Sequence, residues 1–206
     1  MADSGFLTNG STAQPVLQGL VLAGGKSTRM GRSKHQIDYH GMPQFKYCVN
    51  LLSSFNIPVF VSLRAGQSRD LGIHGVAVIE DLVENSGPMG AILSAFAFAP
   101  TAAWLVMACD MPFVTRETIL DLINSRDPLV PVTAFLSANQ QMEPLLAIYE
   151  PSSRSLLQDC MDRGERSLRA AFGLMDYHGI CAERADELTN INTPEEYLAA
   201  RERLKC

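Results

Sequence analysis

In Val16-Leu17-Gln18-Gly19-Leu20-Val21-Leu22 a short apolar run reads as a β-strand, and Ala23-Gly24-Gly25-Lys26-Ser27-Thr28-Arg29-Met30-Gly31-Arg32-Ser33-Lys34 follows it without a break. Paired glycines after an apolar run mark a strand entering a sharp turn. They also let backbone amides come close to a ligand, and a concave row of amides holds phosphate. Four cations, Lys26, Arg29, Arg32 and Lys34, fall within nine residues in a chain whose net charge is −5. A local cluster of this kind suits an anion; the plain alternative is a solvated basic loop. Gly25-Lys26-Ser27 also matches the end of a P-loop, and Leu105–Asp110 resembles a Walker-B strand. The spacing rejects that motif, because its first glycine falls on Leu20 and the intervening residues read as strand.

Outward from this segment the apolar runs alternate in kind. Residues 43–55 space their apolar positions like a helix, with Pro43 in the first turn. Residues 58–63 and 76–79 read as strands, the second ending at Glu80-Asp81. Residues 85–109 carry no charge. That length allows a membrane span, but Gly87-Pro88 near the start and Pro100-Thr101 inside it favour a buried helix over 88–99 and a buried strand over 103–109. Thr115 is placed to cap a further helix, residues 128–135 and 144–149 read as strands, and 151–162 and 194–204 as helices. Strand and helix in alternation predict one α/β domain over 16–206, a mostly parallel, Rossmann-like sheet with helices on both faces, and residues 1–15 a mobile tail.

Composition bounds the rest. The 206 residues are 47% hydrophobic and 19% charged, ordinary for a globular protein with a sizeable core. The acidic balance argues against duplex nucleic acid as a partner. Five cysteines, Cys48, Cys109, Cys160, Cys181 and Cys206, show no C-x-x-C spacing and no histidine at ligand spacing. They read as free thiols in a reducing cytosol, and zinc is not expected. The first fifteen residues lack the basic start and apolar stretch of a secretory signal, so a cytoplasmic location is expected, with no membrane partner.

In sheets of this kind ligands bind beyond the C-terminal strand ends, which singles out 22–34, 80–90 and 109–113. Asp110 closes an apolar strand and precedes Met111-Pro112. A carboxylate there suits Mg²⁺, which takes one or two carboxylates plus substrate oxygens; the other reading is a turn or cap residue. Asp81 is placed either to contact a nucleoside or to cap a turn.

Residues Leu22–Lys34 resemble L-A-G-G-x-S-x-R-M-G-x-x-K, the signature loop of molybdenum cofactor guanylyltransferases, within the nucleotidyltransferase class that includes sugar-nucleotide pyrophosphorylases. Glu80-Asp81 with Gly87-Pro88-Met89, Cys109-Asp110-Met111-Pro112-Phe113, Glu143-Pro144-Leu145 and Asn190-Ile191-Asn192-Thr193-Pro194-Glu195-Glu196 match in order. The resemblance implies a nucleotide-diphospho-sugar transferase-like fold. It implies that Leu22, Ala23 and Gly24, with Gly25, bind nucleotide through the backbone, that Arg29 and Lys34 hold the β- and γ-phosphates, and that Asp81 meets the nucleoside. It further implies that Asp110 holds Mg²⁺ and that Asn192, with Asn190, lies near the metal or second substrate. Two positions depart from the pattern: Ser62 stands where relatives often have Asn, and Ala91 replaces the last glycine of Gly-Pro-x-x-Gly.

The reaction so implied is transfer of GMP from GTP to a molybdenum-bearing pterin monophosphate with release of pyrophosphate, with transient contacts to other proteins of molybdenum cofactor biosynthesis. The alternatives are a molybdopterin cytidylyltransferase, against which Ala23-Gly24-Gly25 stands in place of Ala-Ala-Gly, or another small-molecule nucleotidyltransferase. A non-catalytic nucleotide-binding protein of the same fold is a further possibility.

Overall fold

Along β1 (Leu17–Leu22) successive side chains enter opposite apolar layers, Leu20 one and Val21 the other. A strand covered on both faces is apolar throughout, and β4 (Ala103–Ala108, sequence AWLVMA) is buried at every position. In the computed structural model, which describes residues 14–24, 37–64, 67, 75–84, 86–137 and 139–205, five more strands join these two. They are β2 (Val59–Leu63), β3 (Ala77–Glu80), β5 (Val132–Leu136), β6 (Met142–Tyr149) and β7 (Tyr177–Cys181). The sheet order is β3-β2-β1-β4-β6-β5-β7. β1, β2, β3 and β4 pair in parallel, as do β5 and β7, whereas β6 runs antiparallel to both β4 and β5.

Helices cover both faces. α2 (Gly87–Phe98), α4 (Ser153–Asp162) and α5 (Leu168–Phe172) bury Met89, Ile92, Phe96, Leu157 and Phe172 against Trp104, Val106 and Tyr149. α1 (Gln44–Ser53) and α3 (Arg116–Asn124) bury Phe45, Leu52, Ile119 and Leu122 against Val61, Leu105 and Met107 on the other face. A smaller third cluster, Ile37, Tyr39, Phe113, Ile191 and Ala200, seats α6 (Pro194–Arg203). Burying a Leu, Ile, Phe or Met side chain stabilises the fold by roughly 1.5–3 kcal/mol, so these layers hold the strand ends in fixed register.

The single α/β domain with a mostly parallel sheet agrees with the sequence reading. Thr115 caps α3 by accepting from the Thr118 amide, and Thr193 with Glu196 forms a capping box on α6. The uncharged stretch divides into α2 and β4 around the 99–102 turn; among the described residues no helix is long and apolar enough to cross a membrane. Two elements have no counterpart in the sequence reading, α5 and β7. α5 has five residues, too few to show a helical period, and β7 is an edge strand with Gly179 inside it and Tyr177, His178 and Cys181 exposed. Most of the expected N-terminal tail, residues 1–13, lies outside the described residues. Pro15 is tied down, its carbonyl accepting from Arg126 at 2.8 Å.

Candidate active site

Parallel strands deliver the first half of the site. Beyond β1, the amides of Ala23 and Gly24 both donate to the Ser62 carbonyl at 3.2 Å, which holds the start of the glycine turn against the end of β2. The approach is close: a Cβ at position 24 would stand 3.2 Å from the Arg64 backbone nitrogen, tight enough to push the end of β2 outward by a few tenths of an ångström. Ser62, at 2% exposure, donates its hydroxyl to Asp81 Oδ1 at 2.9 Å, and the Asp81 amide donates to the Leu63 carbonyl at 2.8 Å. Burial pushes the Asp81 carboxyl up from the usual carboxylate range, while the Ser62 hydroxyl and the charge of Arg64 draw it partly back. Ser62, the residue that departs from the family pattern, is therefore the partner that orients Asp81.

After Asp81 the chain is stitched to α2. The Leu82 amide donates to Ser94 Oγ at 2.9 Å, and the Ser86 hydroxyl donates to the Val83 carbonyl at 2.6 Å. A Cβ on Gly90 would fall 2.2 Å from Ser86 Cβ, which a rotamer change cannot relieve, so this position favours glycine strictly. The strict requirement thus lies at Gly90, while Ala91, where the last glycine is replaced, packs in the core at 4% exposure.

The second half assembles from distant parts of the chain. Asp110 follows β4, and its carbonyl accepts from the Ile191 amide at 2.8 Å, which brings 190–192 to the rim. Buried Ile191 fixes that loop from below, and Glu196 Oε2 accepts from the Asn192 and Thr193 amides at 2.6 and 3.0 Å. Reversed β6 starts at the same rim, since Met107 of β4 pairs with Leu146. Its first residues therefore place Glu143 beside Asp110. Burial raises the Glu143 carboxyl above its usual range; the Leu145 amide and the charge of Arg169 offset part of the rise, and the charge of Asp110 adds to it. Asn190 Nδ2 donates to Glu143 Oε2 at 3.4 Å, and Asn190 Oδ1 is buried with no hydrogen bond among the described residues.

This corner offers oxygen donors: the carboxylate of Asp110, that of Glu143, which feels its charge, and the amide oxygen of Asn190, which has no donor among the described residues. That set fits a hard divalent cation such as Mg²⁺. No group of three or more His, Cys, Asp or Glu suited to a metal lies among the described residues. Cys109, next to Asp110, is buried; its contact with Cys48, followed by burial, pushes the thiol well up, which keeps it protonated and unsuited to metal binding or nucleophilic attack. Cys48, Cys109, Cys160 and Cys181 are free thiols.

Of the residues singled out from sequence, Leu22, Ala23, Gly24, Asp81, Asp110 and Asn192 all fall at the C-terminal rim of the parallel strands or on the loop docked there. Gly25, Arg29 and Lys34, with Lys26 and Arg32, lie outside the described residues. Glu143 was given no role by the sequence, although Glu143-Pro144-Leu145 was visible as a match.

The sequence pattern of the MobA-like NTP transferase domain matches residues 19–178. A molybdenum cofactor biosynthesis bifunctional protein of Synechocystis is 33% identical over 187 residues, covering 90% of this chain and 54% of that protein. The chain thus spans about half the length of that relative. A molybdenum cofactor guanylyltransferase of Yersinia pseudotuberculosis is 27% identical over 190 residues, covering 89% of this chain and 94% of the relative. In fold, the chain superposes on the molybdopterin-guanine dinucleotide biosynthesis protein A of Archaeoglobus fulgidus with a TM-score of 0.77 at 22% identity, covering 91% of this chain and 98% of the other.

Proposed function

Because the chain belongs to the MobA-like NTP transferase family and is a nucleotidyltransferase, we propose that it transfers GMP from GTP to a molybdenum-bearing pterin monophosphate, giving the guanine dinucleotide cofactor and pyrophosphate. The observation that carries this reading is the convergence of Gly24, Asp81, Asp110 and the 190–192 loop, four separate chain segments, on one rim of the sheet. The names of the relatives favour guanine as the base. We assign the catalytic domain to residues 16–206.

An oxygen of the pterin's terminal phosphate attacks the α-phosphorus of GTP, a new P–O bond forms, and the bond to the β-phosphate oxygen breaks. The attacking oxygen is already ionised, so the step needs no protein base. Catalysis rests on positioning and on neutralising charge. The backbone of 22–25 cradles the phosphates, Arg29 and Lys34 take up the charge that grows on departing pyrophosphate, and Asp81 meets the nucleoside. Mg²⁺, when bound, offsets negative charge on the phosphate oxygens. Asp110 would hold it, with Glu143 and the amide oxygen of Asn190 alongside, while Asn192 would lie near the metal or the second substrate. Transient contact with other proteins of molybdenum cofactor biosynthesis, in the cytoplasm, belongs to the same reading.

The test is incubation with each of the four NTPs, Mg²⁺ and molybdenum cofactor, with mass analysis of the products. A guanine dinucleotide formed fastest from GTP is expected. Faster product formation from CTP would replace this reading with a cytidylyltransferase, and nucleotide binding without any turnover would reduce the chain to a binding protein.

A further inference from the structure

Arg64 stands immediately beyond β2, between Gly24 on one side and Asp81 on the other. Its backbone is fixed locally: the Arg64 amide donates to Gln67 Oε1 at 3.3 Å, and the Gln67 amide donates to the Arg64 carbonyl at 3.0 Å. The side chain starts along the glycine turn, since a Cβ built on Gly24 would lie 3.6 Å from Arg64 Cγ. Farther out, Nε is buried and has no hydrogen-bond acceptor among the described residues. The positive charge nevertheless reaches Asp81, whose carboxylate it favours.

A guanidinium cannot shed its proton to escape burial, and a buried N–H without an acceptor is costly. An arginine in water would turn its fork outward. Held at a ligand rim with a donor unused, Arg64 lacks an acceptor that a bound molecule can bring. The fork donates best to two acceptors side by side, and guanine offers such a pair in O6 and N7. Cytosine carries an amino donor on the corresponding edge, which an arginine cannot accept.

We propose that Arg64 is a base-reading residue of the nucleotide site, its guanidinium donating to the O6/N7 edge of guanine while Asp81 beside it supplies acceptors for the base's N–H groups. The assignment rests on the GTP reading above and adds the residue that selects the purine. The local sequence marked only Ser62 as a departure from the family pattern and gave Arg64 no role.

The experiment is calorimetric titration of the full chain with GTP, 7-deaza-GTP, CTP and pyrophosphate, each with Mg²⁺ and without acceptor, on wild type, Arg64→Ala and Arg64→Lys, with melting curves alongside. Wild type is expected to bind GTP more tightly than 7-deaza-GTP, which lacks the N7 acceptor. Arg64→Ala should weaken GTP about 10- to 100-fold, weaken 7-deaza-GTP less, and leave pyrophosphate unchanged. Arg64→Lys, which keeps the charge but loses the fork, should recover only part of the GTP affinity and serves if the alanine variant does not fold. Equal losses for GTP, 7-deaza-GTP and pyrophosphate would make Arg64 a phosphate contact and overturn the proposal, as would unchanged GTP binding in both variants. Tighter binding of CTP than GTP by the wild type would overturn the GTP reading itself, a failure visible before any variant is tested.

Discussion

Two carboxylates are buried at opposite rims of the sheet, and they are treated differently. At the rim where β6 ends, Glu150 is 1% exposed and receives a bidentate pair from Arg126, Nε to Oε1 at 2.6 Å and NH2 to Oε2 at 3.0 Å. The same guanidinium donates to the Pro15 carbonyl at 2.8 Å, so the pair ties the residues entering β1 to the body. At the rim where β6 begins, Glu143 is 7% exposed and has the charge of Asp110 acting on it, and among the described residues its ion-pair partner is an exposed Arg169 at 3.7 Å. A buried acid with its own arginine is a structural fastening. A buried acid that feels the charge of another acid is favoured by added positive charge, which is the mark of a site that binds a cation or a transferring group.

Breaking the fastening should give the largest effect on the fold. Arg126→Ala strands Glu150 and is expected to cost about 3–5 kcal/mol of stability, read by urea unfolding, with turnover per folded molecule unchanged. The double variant Arg126→Met, Glu150→Leu should regain most of that loss, because a packed apolar pair replaces the ions. Loss of specific activity in the folded fraction would show that the two rims are not separate in function.

Asp110→Asn should do the reverse. It removes a charge from the site and is expected to lower kcat on the order of 10²–10³-fold, with a melting temperature close to wild type. Wild-type turnover at limiting Mg²⁺ would return Asp110 to the rank of a turn residue. Lys34→Ala comes next, with kcat/KM falling roughly one to two decades for the loss of a charge-assisted contact worth about 1.5–3 kcal/mol. Lys26→Ala should stay within about twofold, in line with ordinary surface substitutions. Equal small effects at both lysines would make the loop a basic surface.

Much of this contrast could be read from the chain, for identifiable reasons. Each parallel strand hands one residue to the rim at its C-terminal end, so Gly24, Asp81 and Asp110 stand next to their strands in sequence and announce themselves. Glu143 stands at the start of its strand, because β6 is reversed. The five residues between β5 and β6 imply antiparallel pairing, since a parallel return needs a crossover of a dozen or more, but nothing local says that Glu143 will meet Asp110. The docking of 190–192 likewise depends on Ile191, an apolar residue between two asparagines that reads as incidental until its amide is seen on the Asp110 carbonyl. β7, short and exposed at the sheet edge, lacks the apolar alternation by which strands are recognised.

The smallest predicted effect concerns the sign of a pH dependence. The Glu143 carboxyl is raised in the fold, so over the interval from the unfolded carboxylate range, about 4.3, up to its raised folded value the folded state binds more protons than the unfolded one. Stability contributed by this group falls as pH rises through that interval, and the penalty is complete above it. Glu143→Gln, which has no charge to hold in a buried place, should therefore be relatively more stable than wild type at pH 8 than at pH 4, by under about 1 kcal/mol. Parallel stability profiles for the two proteins across that range would show that Glu143 is not held against its charge.

The division between the rims is tested most directly by ligand-induced thermal stabilisation, measured with GTP in the presence and absence of Mg²⁺ on wild type, Asp110→Asn and Arg126→Ala. A ligand at 100 times its Kd stabilises the fold by about 2.7 kcal/mol whatever the starting stability. Wild type and Arg126→Ala should both show a Mg²⁺-dependent upward shift, the second from a lower melting temperature, and Asp110→Asn should show none. Retention of the shift in Asp110→Asn together with its loss in Arg126→Ala would place the cation-dependent site at the wrong rim and contradict the account.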